Sequence, residues 1–327
     1  MNAPLIRDDL FQQILLGPLA DGADELHILT GYSSASFALF HILEAREHLK
    51  RDFSIRLNIG MTGEDGLELF AHQAFVAAER AASGAWLRVS YAPTGLSDHS
   101  KLYVWCRSGV PVCAWIGSAN YSGAAFGIDG SRRESMVPVA PDAAWRTLQA
   151  AVAQFVPASS PDIFAQVAIY EATQSEVRTR VEQAKPMTAA DAANRPHVAL
   201  PLVQRTRNPG EVHNAGAGLN WGQRGSRRRA EAYIPVPASV SRAGFFPPHG
   251  VPFAAHTDDG ATLFLTIAQD GDKALHSVPD NADVGLWFRR RLGLTADAFV
   301  TTSDLRRYGA DEVIFVALAD GDYFMSF

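Results

Sequence analysis

The sequence predicts two fold classes in one chain, an α/β domain first and a mainly-β domain after it. Three observations predict this. Short apolar runs alternate with helical periodicity through about residue 184. Residues 185–201 then carry three prolines and little periodicity. Beyond them, short β-type runs separated by Gly, Asp and Pro are interrupted by a single helical stretch. At 327 residues the chain exceeds what one core usually organises, which places the first domain at 1–185, a linker at 186–201 and the second domain at 202–327.

Residues 26–29 read as a strand that ends in Thr30-Gly31-Tyr32-Ser33-Ser34, followed by a helix to about Leu49. A strand at 55–59, a helix at 66–82 and a strand at 86–91 continue the alternation and predict a largely parallel sheet. Residues 101–106 and 112–116 flank Arg107-Ser108-Gly109-Val110-Pro111, whose Gly and Pro mark a hairpin. A strand at 134–139, a helix at 143–155 and a helical stretch at 163–184 complete the first domain. In the second, strands are expected at 232–236, 253–256, 262–268, 299–302 and 312–318, and a helix at 284–292, a pattern that suggests a small barrel.

With 47% hydrophobic and 20% charged residues the protein reads as globular. No apolar run approaches the roughly 18 to 20 residues of a membrane span. Arg7, Asp8 and Asp9 precede only a short apolar stretch, so no signal peptide is read and a cytoplasmic location is expected. Cys106 and Cys113 flank the hairpin turn and are expected to be reduced thiols. So few thiols without a close His pair do not predict a metal site, and no cofactor is expected. A net charge of −6 argues against diffuse coating of nucleic acid. Any DNA contact must come from local patches such as Arg224, Arg227, Arg228 and Arg229, or Arg289, Arg290 and Arg291. Each cluster alone reads equally well as a solvated charged face.

His99 and Lys101 stand two positions apart at the mouth of a strand and so project to one face. Ser118 and Asn120 repeat that spacing after the partner strand, in Gly117-Ser118-Ala119-Asn120. The arms of one hairpin thereby bring an imidazole, an ammonium, a hydroxyl and an amide toward one point, an oxyanion-binding arrangement that contains a nucleophile. A lone histidine at a strand end would read as a surface or satisfied core residue; the combination reads otherwise. His99-Ser100-Lys101 followed by Gly117-Ser118-Ala119-Asn120 resembles the HKD motif of the phospholipase D superfamily, which includes nucleases. The motif's Asp is missing, because Cys106 and Arg107 stand where it would fall. The resemblance to nuclease members puts Glu134 in its place beside His99, fixing the tautomer and stabilising the imidazolium. Otherwise Glu134 is a strand-edge carboxylate paired with Arg132 or Arg133.

The resemblance implies attack of a neutral imidazole on phosphorus, a phosphohistidine, and a second histidine that protonates the leaving oxygen and then activates water. Only one complete motif is present. His48-Leu49-Lys50 has the spacing, but it ends a predicted helix and no Gly-Ser-x-Asn follows. The partner His99 is therefore expected from a second subunit of a homodimer joined through the first domain. Lys101 and Asn120 of both subunits would supply the stabilisation that a metal ion gives elsewhere.

In the second domain Gly218-Leu219-Asn220-Trp221-Gly222-Gln223-Arg224, Ala232-Tyr233-Ile234-Pro235-Val236-Pro237 and Gly285-Leu286-Trp287-Phe288-Arg289-Arg290-Arg291 are similar to the NgoFVII-type restriction endonucleases. There a phospholipase D-like α/β domain precedes a mainly-β pseudobarrel for DNA recognition, like that of plant B-three transcription factors. The resemblance implies arms at 220–229 and 281–291 that grip double-stranded DNA. Trp221, Gln223, Arg224, Arg227, Arg228, Asn281 and Arg289 are the contact candidates, since Arg and Gln suit base edges and phosphates. For Trp221 and Trp287, packing in the barrel is the more ordinary role. Some relatives work with a companion methyltransferase or ATPase. The expected function is sequence-specific, metal-independent DNA cleavage. A lipid phosphodiesterase with the same core and a DNA-binding module with an inactive site are the competing readings. The first should show a signal peptide or a membrane-docking apolar surface, and the second should lack His99 or Lys101; neither feature is read here.

Overall fold

The chain divides into two units, Met1–Ala184 and Lys185–Phe327, and the computed structural model describes residues 5–82, 86–128, 133–171, 179–180, 196–204, 210–213, 216–318 and 321–327. In the first unit the elements that position the site are β1 (Glu25–Thr30), α1 (Ala35–Glu44), β2 (Ser54–Ile59), β3 (Leu67–Glu68), α2 (Leu69–Ala81), β4 (Leu87–Tyr91), β5 (Leu102–Arg107), β6 (Val110–Gly117), β7 (Met136–Val139), α3 (Pro141–Ala151), β8 (Val156–Pro157), β9 (Ile169–Glu171) and β10 (Thr179–Arg180). The main sheet has the order β7-β6-β5-β1-β2-β4-β8, and β10-β9-β3 form a small second sheet. β1 is an almost wholly buried run, as a strand with neighbours on both edges and cover on both faces must be. On one face Leu29, Leu102, Val104, Ala114 and Leu148 of α3 pack together. Strand alternation puts Tyr103 and Trp105 on the other face, where Trp105 meets His41 of α1.

The expectation of a largely parallel sheet is corrected. Among the described residues of the main sheet, only β1–β2 and β2–β4 run parallel; β1–β5, β5–β6, β6–β7 and β4–β8 are antiparallel. Of these only β5–β6 is closed by a tight turn; β6–β7 is joined through residues 118–135, and β1–β5 and β4–β8 bring together strands distant in the chain. The β5–β6 reversal turns on Ser108 and Gly109, both at positive φ (49° and 79°), as a two-residue hairpin turn demands. The helix expected at 163–184 is also corrected. Ile163–Gln166 makes a single turn, and β9 then pairs with β3 and β10, with Val167 and Ile169 buried at the two-residue period of a strand. Residues 172–178 and 181–184 of that expectation lie outside the described residues. Leu67–Glu68, expected as helix, pair as β3 before α2 begins.

The second unit contains β11 (His197–Pro201), β12 (Ile234–Pro235), α4 (Ala238–Arg242), β13 (Pro252–Thr257), β14 (Thr262–Ala268), β15 (Ala274–Ser277), α5 (Asp283–Arg291), α6 (Thr302–Tyr308), β16 (Glu312–Ala317) and β17 (Tyr323–Ser326). Its sheet has the order β11-β16-β17-β13-β14-β15-β12, and the end strands β11 and β12 approach each other, so the sheet is a nearly closed barrel. Phe253, Leu265, Leu275, Phe288 and Phe315 fill its core. Two expectations are corrected. Residues 299–302 are not a strand, because Thr301 caps α6 in a capping box with Asp304. Residues 197–201 of the expected linker are β11, paired with β16, while 186–195 lie outside the described residues. Among the described residues no helix is long and apolar enough to cross a membrane.

Candidate active site

β1 and β2 end side by side at Thr30 and Ile59. The segment that precedes β5 crosses close to these ends. Asp98 N–H donates to Gly60 O at 3.1 Å, and a Cβ on Gly60 would lie 1.9 Å from Asp98 O, so only glycine permits the approach. Ser100 N–H donates to Asp98 Oδ1 at 2.8 Å and tightens the turn. His99 is thereby carried over Gly31, where a Cβ would lie 2.5 Å from His99 Cδ2 and 3.3 Å from Asn120 Oδ1. Lys101 is buried, and its Nζ donates to His99 O at 2.6 Å. That bond occupies one of the three ammonium hydrogens. Burial lowers the Lys101 pKa from its ordinary value, against the pull of Glu134 and Asp98.

The other arm arrives from β6. Ser118 N–H donates to Ser135 O at 3.0 Å, and Ser135 N–H donates to Ser118 Oγ at 3.0 Å. Tyr103 OH donates to Ala119 O at 2.9 Å from beneath. Asn120 Oδ1 accepts from Tyr32 N–H at 3.2 Å and lies 3.3 Å from Thr30 Oγ1. A backbone N–H can only donate, so it fixes which end of the amide faces it. The Asn120 Nδ2 hydrogens are left as the group presented to a ligand. Tyr121 N–H donates to Thr30 Oγ1 at 3.1 Å, and the Tyr121 hydroxyl meets His41 Nδ1 at 2.9 Å. His41, fully enclosed, has its pKa pushed down to about 3 by burial, so it serves here as a neutral strut.

His99, Lys101, Ser118 and Asn120 are thus brought together, with Glu134 at the margin in a role other than the expected one. The Glu134 carboxylate accepts the Ser118 hydroxyl, and among the described residues it makes no hydrogen bond to His99. Antiparallel pairing of β6 with β7 places Met136 opposite Gly117, which makes Ser118 the nearest donor to Glu134. Arg132 lies outside the described residues. His48 is exposed beside Glu44, 3.2 Å away. Cys106 and Cys113 are free thiols, each pushed up to about 11, first by burial.

Sequence reasoning missed Thr30, Gly31, Tyr32 and Asp65. The Tyr32 ring stands edge-on to His99 at 5.7 Å between centroids, and its hydroxyl donates to Asp65 Oδ2 at 2.6 Å. The signal was available in Thr30-Gly31-Tyr32, since sites in α/β sheets gather at the carboxyl ends of parallel strands.

In the second unit most of the candidate DNA contacts have partners within it. Arg289 is 1% exposed. Its guanidinium donates to the carbonyls of Ala298, Ala230, Gly285, Leu219 and Arg229 at 2.8 to 3.3 Å. It joins the 219–230 segment to α5 and the 298 loop, and its place among the DNA contacts is corrected. Burial lowers its pKa from the ordinary value. Trp221 is buried beneath Arg227, whose Cζ sits 3.6 Å from the ring centroid and whose Nη1 donates to Glu231 at 2.8 Å. Arg228 pairs with Asp280 and Glu231. Gln223 Nε2 donates to Arg229 O and Asp297 O, both at 3.1 Å. Asn281 lies near His276, whose pKa is pushed down to about 4, first by burial, with Asn281 opposing the shift. Arg290 and Arg291 pair with Asp259 and Asp258. Arg224 is exposed, 6.0 Å from the Trp221 ring, with no carboxylate paired to it among the described residues.

Residues 8–174 match the family described as the NgoFVII restriction endonuclease N-terminal PLD domain, and residues 193–319 match the NgoFVII C-terminal B3-like DNA-binding domain. A comparison with curated protein sequences gives no match. Among solved structures, NucT from Helicobacter pylori is similar at 13% identity over 48% of this chain and 98% of its own, with a TM-score of 0.33. Polyphosphate kinase from Porphyromonas gingivalis is similar at 12% identity over 50% of this chain and 26% of its own, with a TM-score of 0.31. The first family match alone covers half of the chain, and the two lie in the order of the two units: the chain belongs to the NgoFVII family of restriction endonucleases.

Proposed function

We propose that this chain is a sequence-specific DNA endonuclease that cleaves through a phosphohistidine at a site shared by two copies. One observation carries the reading: the His99 imidazole and the Asn120 amide meet over Gly31, and the buried Lys101 ammonium is bonded to the main chain of His99. His99 of one subunit attacks phosphorus as its neutral imidazole, a P–N bond forms, and the bond to the leaving oxygen breaks. His99 of the partner subunit, protonated, gives that oxygen its proton. The partner imidazole, now neutral, takes a proton from water; the hydroxide displaces the first imidazole from phosphorus and restores both histidines. Lys101 and the Asn120 amide stabilise the charge that builds on the non-bridging oxygens. Ser118, oriented by Glu134, lines the same cleft. The barrel, read as a pseudobarrel with two arms, selects the sequence, with Arg224 as its principal reader.

The test is incubation of the purified chain with a long DNA of known sequence in EDTA, with the ends mapped and an acid-quenched sample probed for phosphohistidine. Discrete ends and a labile phosphoryl adduct are expected. Activity that vanishes on chelation and returns with magnesium would overturn the mechanism.

A further inference from the structure

We infer that Tyr32 and Asp65 form a bracket that holds the His99 imidazole in its attacking orientation; this rests on the reading of His99 as the nucleophile. The imidazole lies between two surfaces. On one side is the bare Cα of Gly31, close enough that a Cβ would collide with the ring at 2.5 Å. On another is the Tyr32 ring, 5.7 Å away between centroids with planes at 77°. Tyr32 is 47% exposed, and an exposed side chain has little packing to hold one rotamer. The bond from its hydroxyl to Asp65 Oδ2 at 2.6 Å ties down its far end.

Asp65 is itself anchored. Its N–H donates to Met61 O at 2.9 Å, and Met61 N–H donates to Gly31 O at 3.1 Å. In the same turn Thr62, buried, donates to Ile59 O at 3.1 Å and lies 3.0 Å from Ala92 O. The contacts therefore close a ring: Gly31 to Met61, Met61 to Asp65, Asp65 to Tyr32, and Tyr32 to His99. Tyr32 also fixes Asn120 through its backbone N–H at 3.2 Å. One residue thus registers the nucleophile by its ring and the oxyanion donor by its main chain. Tyr32 and Asp65 are positioning residues that act through His99.

The test is single-turnover cleavage by the full chain, with His99 followed in parallel through its imidazole carbon signals by NMR. Tyr32→Ala should slow the chemical step by about 10- to 100-fold, the scale set by small misplacements of reacting groups, with DNA affinity unchanged and the His99 signals shifted or broadened. Gly31→Ala, which crowds the opposite side, should do the same. Tyr32→Phe and Asp65→Ala should each give a smaller loss, and the double variant should lose no more than either alone, because both break one bond. A Tyr32→Ala protein that cleaves at the wild-type rate while His99→Ala is dead overturns the bracket alone. So do additive losses, or a loss confined to KM. Cleavage that survives His99→Ala overturns the reading of the nucleophile, and the bracket with it.

Discussion

Around His99 the polar groups of the first unit orient one another, whereas among the described residues of the second unit the arginines of its candidate arms are mostly engaged inside it. Asn120 is gripped by its oxygen, and Lys101 has one bond to His99 O. By contrast Arg289 is enclosed by carbonyls, and Arg228, Arg290 and Arg291 are paired with Asp280, Asp259 and Asp258. A run of basic letters is therefore a poor guide to a basic surface. The carboxylates that neutralise these arginines come from distant positions, and the net charge of −6 already implied that such carboxylates were plentiful. The family match makes DNA the partner of the barrel, and among the described residues Arg224 is a candidate contact with no carboxylate paired to it.

Removal of the nucleophile gives the largest expected effect. His99→Ala should reduce cleavage by about 10⁴-fold or more and leave the Kd for DNA nearly unchanged, because the binding groups lie in the other unit. In mixtures with verified subunit exchange, excess His99→Ala chains should suppress wild-type activity beyond dilution. Equal loss of binding and cleavage would erase the division between the two regions.

Arg289→Ala sharpens the contrast from the other side. With several buried carbonyls left without a donor, the second unit should lose about 3 kcal/mol or more, read as a lower midpoint in chemical denaturation. Unchanged stability with weakened DNA binding would restore Arg289 to the interface.

Arg224→Ala should weaken cognate binding by roughly 1 to 3 kcal/mol while random DNA suffers less, since a guanidinium can address a guanine edge with two parallel bonds. Arg228→Ala, whose charge is already matched by Asp280 and Glu231, should cost less discrimination than Arg224→Ala. The reverse order in a competition assay would show that ion pairs open on binding.

The smallest effect is a pH dependence. Burial opposes ionisation of Asp259, but bonds from Thr257, Trp287 and Arg290 outweigh it and hold the carboxyl at about 2 against an ordinary 3.8. A depressed carboxyl contributes stability above its unfolded value and loses it on the way down. The second unit should therefore weaken as pH falls from about 4 to about 2, and Asp259→Asn should flatten that slope.

The sequence disclosed what neighbouring letters decide. The hairpin was legible because Ser108-Gly109 suits a positive-φ turn, and the two-residue spacings of His99 with Lys101 and Ser118 with Asn120 put each pair on one side of a strand. α5 was legible from its periodicity. What escaped depends on meetings between distant segments: Thr30 and Tyr32 with Asn120, some ninety positions apart, and Glu134 with Ser118 in place of His99. β15 and β17 were hidden because so short a run becomes a strand only when a partner is beside it. Thr301-Thr302-Ser303-Asp304 spells a capping box in its own letters, so the start of α6 is legible without a distant partner.

The place of β17 in the barrel has a consequence for biogenesis. It joins β16 to β13, in antiparallel and parallel pairing respectively, and without it the sheet falls into β11–β16 and β13-β14-β15-β12. On the ribosome the first unit has all its described strands once residue 180 has emerged, but the barrel has no centre until residue 326 follows. For the synthesis of nearly 150 residues, at roughly 5 to 20 per second, the nascent chain carries the described strands of the first unit and an unfinished barrel with bare strand edges. Whatever the barrel does with DNA waits on the strand that joins its two halves.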